Sequence, residues 1–285
     1  MMHNESIRYS ILDPTGNTTA LVESPVETGR QPAVAASLMD RHPEVEQVGF
    51  LGPASSSEDP VRGSLRMAGG EFCGNASMCA AAFYLLRRQQ ADGIPTVPSE
   101  ATVRLRVSGA AEPVLVRLQK ESEDSFRAGV RMPPALGIAE NTFSFKGAGG
   151  QLPVIRMEGI SHIVIEPGSP FWSLQKDRSA AEEAVQTWCG ALAAEGLGLM
   201  FLDADRSRLT PLVHIPGSGT VFWEKSCASG SSAAGIYLAA KSGVPVDLTL
   251  TEPGGSLRVV SDPASRVTWL YGRVRLLRHD SLLYG

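Results

Sequence analysis

The chain has 285 residues, a formal net charge of −4 and a mean hydropathy of −0.03. With 43% hydrophobic and 20% charged residues, the composition excludes a disordered polyelectrolyte and a membrane protein. A mildly acidic chain has no general attraction for nucleic acid or anionic lipid, and the polar N-terminus shows no signal-peptide pattern. We therefore expect a cytoplasmic protein without nucleic-acid or membrane partners, with one large domain or two of about 140 residues.

The first half of the chain predicts strands interrupted by two helices. A strand, a turn and a second strand are expected over Ile7–Ser24, where Asp13–Asn17 is dense in turn-forming residues. The predicted helices are Pro32–His42, from its apolar spacing, and Ala76 to about Gln90, which follows a glycine-rich turn. The other predicted strands are Val45–Leu51, Ser64–Met67, Ala101–Ser108, Pro113–Gln119 and Ser125–Arg131.

The second half partly repeats this order after a glycine-rich stretch, Lys146–Gly150, which interrupts the periodic pattern near the midpoint. Helices are predicted over Ala180–Ala194 and Ser231–Lys241. The predicted strands are Val154–Met157, His162–Glu166, Leu199–Asp203, Leu209–Ile215, Val221–Trp223, Asp247–Thr251, Ser256–Val260 and Val267–Leu277.

An internal repeat is the most informative feature of the sequence. Phe72–Ser77 opens one Ala-rich helix and Ser226–Ser231 opens another, with a cysteine at the second position of each block. Because a helix that is apolar on every face is buried, we predict an α/β (α+β) fold of two pseudo-symmetric domains. Each is a curved, mostly antiparallel sheet around a central helix. We place the N-terminal domain at 1–133, with 268–285 returning to it, and the C-terminal domain at 134–267.

The two repeated cysteines, Cys73 and Cys227, are predicted to be reactive. Unpaired backbone N–H groups and the helix dipole favour an anion at a helix start, and the pKa of a cysteine there falls from ~8.5 toward neutrality. The small residues after each cysteine allow the backbone to approach a substrate carboxylate closely. If both thiols flank one cleft, one removes an α-proton while the other delivers a proton to the opposite face, which inverts the α-carbon without a cofactor.

Other roles for the four cysteines are weaker. Cys79 and Cys189 lie within predicted helices and are expected to be packing residues. A disulfide between Cys73 and Cys227 is disfavoured in a reducing cytoplasm. No metal site is expected, because no C-x-x-C occurs and the five histidines are scattered.

Three carboxylates could accept or steer a thiol proton. Glu71 lies two residues before Cys73, Glu224 lies three residues before Cys227, and Glu46 ends a polar turn before a buried strand. A solvated surface charge is the alternative for each of them. Glu224 follows two aromatic residues, a setting that would raise the pKa of a carboxyl by desolvation. Asn17 is either a turn residue or a substrate ligand.

With these residues, the chain resembles the diaminopimelate epimerase fold family of cofactor-independent amino-acid racemases and epimerases. The matching stretches are Thr15–Asn17, Leu38–His42, Cys73–Ala76, Ile160–His162, Ser226–Gly230 and Pro253–Leu257. The resemblance implies two α/β domains with the active site in the cleft between them, and Cys73 and Cys227 as the acid/base pair. By the same matches, the substrate-binding candidates are Asn17, Gly74, Asn75, His162, Ala228 and Ser229.

The chain departs from diaminopimelate epimerases ahead of the second cysteine. Those enzymes carry a Glu-Arg pair there, and the corresponding stretch His214–Gly217 has neither residue, which argues against diaminopimelate as substrate. Other stretches are similar to the histidine racemases of opine-type metallophore biosynthesis: Pro14–Asn17, Glu46–Phe50, Gly70–Ala76 and Trp223–Cys227. This resemblance implies that Glu46 and Glu224 assist the two thiols.

The sequence therefore predicts an isomerase that needs no cofactor and racemises an amino acid by a two-cysteine mechanism, with L-histidine to D-histidine as the leading reaction. The alternatives are a diaminopimelate epimerase, a racemase of another amino acid and an isomerase like those of phenazine pathways, which use a carboxylate. A catalytically silent amino-acid-binding module is an alternative of a different class. The sequence does not determine the oligomeric state, and a homodimer stays open.

Overall fold

The computed structural model describes residues 5–53, 61–92 and 98–284. The chain folds into two units, Met1–Arg131 with Tyr271–Gly285 (unit 1) and Met132–Leu270 (unit 2). Within the described ranges, no helix is both long and apolar enough to cross a membrane.

The secondary structure consists of sixteen strands and four α-helices in the described residues. The strands are β1 (Glu5–Pro14), β2 (Thr19–Val22), β3 (Gln47–Leu51), β4 (Val61–Met67), β5 (Glu100–Val107), β6 (Val114–Lys120), β7 (Ser125–Met132), β8 (Gly137–Phe145), β9 (Ala148–Met157), β10 (Ile160–Ile165), β11 (Leu197–Asp203), β12 (Arg208–Ile215), β13 (Thr220–Trp223), β14 (Val246–Glu252), β15 (Gly255–Asp262) and β16 (Val267–Tyr284). The helices are α1 (Gln31–Arg41), α2 (Gly74–Asp92), α3 (Arg178–Leu192) and α4 (Ala228–Ser242).

Unit 1 is a sheet that surrounds α2. Its strands follow the order β1 to β7, and β16 lies beside β7 and pairs antiparallel with β1. The pairs β2–β3 and β4–β5 are parallel, and α1 and α2 form their crossovers. α2 contacts all six strands from β1 to β6, and every side chain from Ala76 to Tyr84 is buried. A helix without an exposed face in this stretch must be apolar or small all round, as its sequence is.

Unit 2 repeats this connectivity. Its strand order is β15-β14-β12-β11-β10-β9-β8, with β13 paired to β12. The pairs β10–β11 and β12–β14 are parallel, and α3 and α4 form their crossovers. α4 contacts β9, β10, β11, β14 and β15, while α3 packs on β11 and β12 over a core that contains Trp188 and Phe171. α2 and α4 therefore occupy equivalent places, and the predicted α/β fold of sheet around buried helix is confirmed.

The midpoint of the chain differs from the prediction. Lys146–Gly150 does not interrupt the strands: Lys146 and Gly147, with φ of 45° and 84°, form the turn of the β8–β9 hairpin, and β9 already begins at Ala148. The sequence did not indicate β8, since its side chains are mostly exposed or half-buried and few are large and apolar. The last strand also extends further than predicted, to Tyr284.

Candidate active site

Cys73 lies at the start of α2 in unit 1. The helix begins at Gly74, and the amide of Ser77 donates to the Cys73 carbonyl at 3.0 Å as its first helical hydrogen bond. The amide of Ala76 points at Cys73 Sγ from 3.4 Å. The half-buried thiol thus sits at the positive end of the helix dipole, where an anion is stabilised.

A chain of side-chain hydrogen bonds connects Cys73 to two other predicted residues. Cys73 Sγ donates to Gln47 Oε1 at 3.0 Å, and Gln47 Nε2 donates to Asn17 Oδ1 and to Thr19 Oγ1. Asn17 Nδ2 donates to Glu46 Oε2 at 2.9 Å. The structure therefore brings Cys73, Asn17 and Glu46 together through Gln47, a residue that the sequence analysis did not single out.

The other predicted residues of this half lie around the helix start. Gly74 and Asn75 are the first two residues of α2, and both are buried. The carboxyl group of Glu71 lies beside Gly69, since a Cβ on that glycine would stand 2.4 Å from Glu71 Oε2. Burial raises the pKa of Glu71.

Cys227 occupies the equivalent place in unit 2, as the N-cap residue of α4. Its Sγ accepts a hydrogen bond from the amide of Gly230 at 3.3 Å and lies 3.6 Å from Ser229 Oγ. The amide of Ser231 donates to the Cys227 carbonyl at 2.8 Å. Ala228, also a predicted substrate ligand, is the first residue of the helix and is buried. One backbone N–H three residues along the chain thus donates to the second thiol, as Ala76 does to the first.

The protonation of Cys227 differs from the prediction. Burial raises the pKa of the Cys227 thiol well above its ordinary value, and the Glu224 carboxylate, which forms a hydrogen bond with it, raises that pKa further. A third contribution in the same direction comes from Glu252. The predicted fall of the thiol pKa toward neutrality is therefore wrong for Cys227, because burial and two carboxylates outweigh the helix dipole. The direction of this shift favours the protonated form of the Cys227 thiol in the free protein.

Glu252, at the end of β14, is a second residue that the sequence analysis missed. Its side chain is 4% exposed. Its Oε2 accepts from the backbone amide of Cys227 at 2.7 Å, and its Oε1 accepts from Ser231 Oγ. Burial raises the pKa of Glu252 to about 8. The available signal was a glutamate directly before the Pro253–Gly255 turn, where the sequence alone suggested only a hairpin.

His162 lies within unit 2 on β10 and is fully buried. Neither ring nitrogen has a hydrogen-bond partner in the described part of the chain, and burial lowers the pKa of His162 to about 3. Its ring lies beside Gly198, and the end of Met200 contacts the same glycine and Gly230 at the start of α4. His162 is therefore a neutral imidazole, packed one methionine away from the helix start that carries Cys227.

Cys79 and Cys189 are buried within α2 and α3, as predicted for packing residues. Their burial raises the pKa of both thiols. The structure thus separates the four cysteines into two at helix starts and two inside helices.

Comparison with known proteins identifies the family of this chain. The model of a family described as "Histidine racemase CntK N-terminal domain" matches residues 6–270. The chain belongs to this family. The match contains both cysteine-bearing helix starts and all the predicted site residues.

Named relatives cover most of the chain. A histidine racemase of Staphylococcus aureus (strain Mu50 / ATCC 700699) is 29% identical over 262 residues, which are 91% of this chain and 90% of that protein. A histidine racemase of Fusobacterium nucleatum subsp. nucleatum is 26% identical over 235 residues, 80% of this chain and 78% of that protein.

Solved structures share the fold. A hydroxyproline epimerase from Agrobacterium vitis superposes with a TM-score of 0.67 at 15% identity, covering 99% of this chain and 94% of that one. A probable proline racemase from Agrobacterium radiobacter K84 gives a TM-score of 0.70 at 13% identity, with 98% and 93% covered. At these identities the likeness shows the fold alone, which is that of racemases and epimerases.

Proposed function

We propose that this protein is a cofactor-independent histidine racemase in which Cys73 and Cys227 act on the two faces of one α-carbon. The observation that carries the proposal is that a histidine racemase family model spans both cysteine-bearing helix starts. The equivalent position of the two thiols within a repeated fold supports a two-base mechanism, because inversion needs one group to take a proton and another to deliver one.

The proposed step exchanges one proton for another. In one direction, the Cys73 thiolate takes the α-hydrogen of histidine as a proton, and the Cα–H electron pair delocalises into the substrate carboxylate. The Cys227 thiol then gives its proton to the opposite face of the α-carbon. The product is the other enantiomer, with Cys73 as thiol and Cys227 as thiolate, and the reverse reaction uses the thiols in the opposite states.

The surroundings of each thiol support these roles. The raised pKa of Cys227 keeps its proton available for delivery. The Ala76 and Gly230 amides donate to the two sulfurs and favour the thiolate form of each cysteine. We assign the substrate carboxylate to the other backbone amides of the two helix starts, which would stabilise the negative charge that develops on it. We assign Glu46 and Glu224 to assisting the thiols. The substrate ligands in this proposal are Asn17, Gly74, Asn75, His162, Ala228 and Ser229.

Three narrower expectations stay proposals. We propose that the protein acts in the cytoplasm, where both thiols remain reduced. We propose a homodimer as its assembly. We also propose that the D-histidine it produces serves metallophore biosynthesis.

The function is tested by incubating single L-amino acids with the reduced protein in D2O. Proton NMR follows loss of the α-hydrogen signal, and chiral chromatography follows inversion. We expect deuteration and inversion of L- and D-histidine, but not of diaminopimelate or proline. Absence of exchange with every amino acid would refute the racemase, and exchange with diaminopimelate alone would refute histidine as substrate.

Matched cysteine variants identify the thiols that act. Cys73→Ser and Cys227→Ser are each expected to abolish inversion of histidine. Cys79→Ala and Cys189→Ala remove buried thiols within α2 and α3 and should retain the rate. Full activity in either helix-start variant would contradict the two-base scheme.

A further inference from the structure

The start of α4 is completed by a side chain from a distant strand. In a common helix N-terminus, the third helical residue is a Glu or Gln whose side chain reaches back to the N-cap amide. In α4 this third residue is Gly230, which has no side chain to do so. The N-cap amide of Cys227 donates instead to Glu252 Oε2 at 2.7 Å. A buried carboxylate therefore replaces the missing local cap.

The carboxylate of Glu252 is held in place from several sides. Its second oxygen accepts from the hydroxyl of Ser231, which is fully buried on the first turn of α4. Glu252 pairs with Gly255 across the β14–β15 hairpin. The amide of Gly254 in this hairpin donates to the Lys225 carbonyl at 2.6 Å, two residues before Cys227. Since Glu252 is 4% exposed, solvent has little access to replace these bonds.

We propose that Glu252 is a positioning residue of the Cys227 half of the site: it fixes the start of α4, and the charge that it carries or loses sets how readily Cys227 releases its proton. This inference rests on the proposed acid/base role of Cys227. Glu252 accepts a hydrogen bond from the Cys227 amide and acts through Cys227. The proposal includes no contact between Glu252 and the substrate.

The charges around Glu252 and Cys227 support a coupling between the two. The ionisable neighbours that act on Cys227 are the carboxylates Glu224 and Glu252, and the charge that acts on Glu252 is Glu224. Among the charged residues described on the adjoining elements, Asp247 pairs with Arg258 and Lys241 pairs with Glu166, while Lys225 and Arg208 are exposed.

This setting predicts how the coupling depends on pH. Burial raises the pKa of Glu252 to about 8, so its charge changes in a range where an enzyme can work. Below that pH, Glu252 is neutral, and of the two carboxylates only Glu224 disfavours the Cys227 thiolate. Above it, the second negative charge opposes the Cys227 thiolate as well. Deprotonation of Glu252 should therefore make Cys227 a weaker acid.

The test is a titration of Cys227 in the full chain without substrate. Cysteine is labelled with ¹³C at Cβ, and the Cys227 signal is assigned by its loss in Cys227→Ser. In the wild type we expect an inflection of this signal near pH 8 from Glu252, followed by thiol ionisation at higher pH. Glu252→Gln keeps a hydrogen-bond acceptor of the same size but removes the charge. It should abolish the inflection and lower the apparent pKa of the thiol, so that more thiolate forms at a given pH than in the wild type.

Two further variants separate charge from structure. Ser231→Ala removes one hydrogen bond from the carboxylate and should move the inflection to higher pH, because that bond favours the ionised form. Glu166→Gln removes a carboxylate that contacts α4 at its other end, through Tyr237 and Lys241, and should leave the titration unchanged.

An identical Cys227 titration in wild type and folded Glu252→Gln would overturn the inference. If Glu252→Gln does not fold, Ser231→Ala decides: an inflection that stays where it is in the wild type would also overturn it. Because no substrate is present, this result is independent of the racemase assay. If the protein fails to invert histidine but its Cys227 titration shifts as predicted, the proposed function is refuted. The coupling between Glu252 and Cys227 is then still supported. In an active protein, the pH profile of kcat/KM should lose the step near pH 8 in Glu252→Gln.

Discussion

Gly230 leaves the space in which Met200 and the Cys227 thiol lie together, so Gly230→Ala should separate stability from activity. A Cβ at this position would stand 2.2 Å from Met200 Sδ and 3.0 Å from Cys227 Sγ. The end of the methionine side chain can move because it is flexible. The Cys227 thiol accepts a hydrogen bond from the Gly230 amide. Because the new methyl group would crowd the sulfur, we expect it to push the thiol away from this amide.

The two effects of this substitution on stability partly cancel. Overpacking of a core costs ~1–3 kcal/mol, whereas replacing glycine by alanine within a helix contributes ~1 kcal/mol. We therefore expect the free energy of unfolding of Gly230→Ala to fall by about 0–2 kcal/mol. Racemisation should fall by roughly ten- to a hundredfold, because small displacements of a reacting group are costly.

Gly190→Ala in α3 is the matched control. A Cβ there meets no atom within 4 Å, so this variant should gain ~0.5–1 kcal/mol and keep its rate. Urea denaturation measures the stability of both variants, and chiral chromatography of histidine measures their activity. Full activity in Gly230→Ala, or a loss of activity that only parallels unfolding, would refute the reasoning.

Three other substitutions test separate parts of the structure. Gln47→Leu removes the acceptor of the Cys73 thiol and a donor to Asn17. We expect kcat to fall more than about tenfold and the free energy of unfolding to fall by ~1–3 kcal/mol. An unchanged kcat would contradict a role for this hydrogen-bond network in catalysis. Tyr9→Phe loses hydrogen bonds to His42 and Asp280. It should lower the free energy of unfolding by ~1–2 kcal/mol and leave the racemisation rate unchanged. Equal urea midpoints for this variant and the wild type would contradict the expected loss of stability. Because burial lowers the pKa of His162 from 6.5 to about 3, the unfolded chain binds its proton first, and stability should fall below pH 6.5 by up to ~1.4 kcal/mol per pH unit. His162→Phe should remove this part of the slope of the urea midpoint against pH, and equal slopes would show that His162 does not cause it.

The helix starts were predictable because they are encoded locally. A cysteine before small residues and an Ala-rich helix specifies both a buried helix and a thiol at its N-terminus, and the repetition of this block indicated two halves. The structure moves the starts of α2 and α4 by only two or three residues, to Gly74 and Ala228.

The partners of the thiols were harder to predict, since they come from elsewhere in the chain. Gln47 reaches Cys73 because β3 begins beside the start of α2, and Glu252 reaches Cys227 after α4 and β14 bring the chain back. The same burial that the helix composition predicts also raises the pKa of Cys227. The predicted pKa of that thiol rested on the helix dipole alone, whose effect has the opposite sign to that of burial and of the two carboxylates.

The two-thiol mechanism is tested most directly by following histidine in D2O with Cys73→Ala and Cys227→Ala. With one thiol removed, neither variant should invert histidine. The remaining thiol should still exchange the α-hydrogen of the one enantiomer whose hydrogen faces it, so the two variants should deuterate opposite enantiomers without inversion. Deuteration of the same enantiomer by both variants, or inversion at the wild-type rate by either, would contradict the assignment of one thiol to each face.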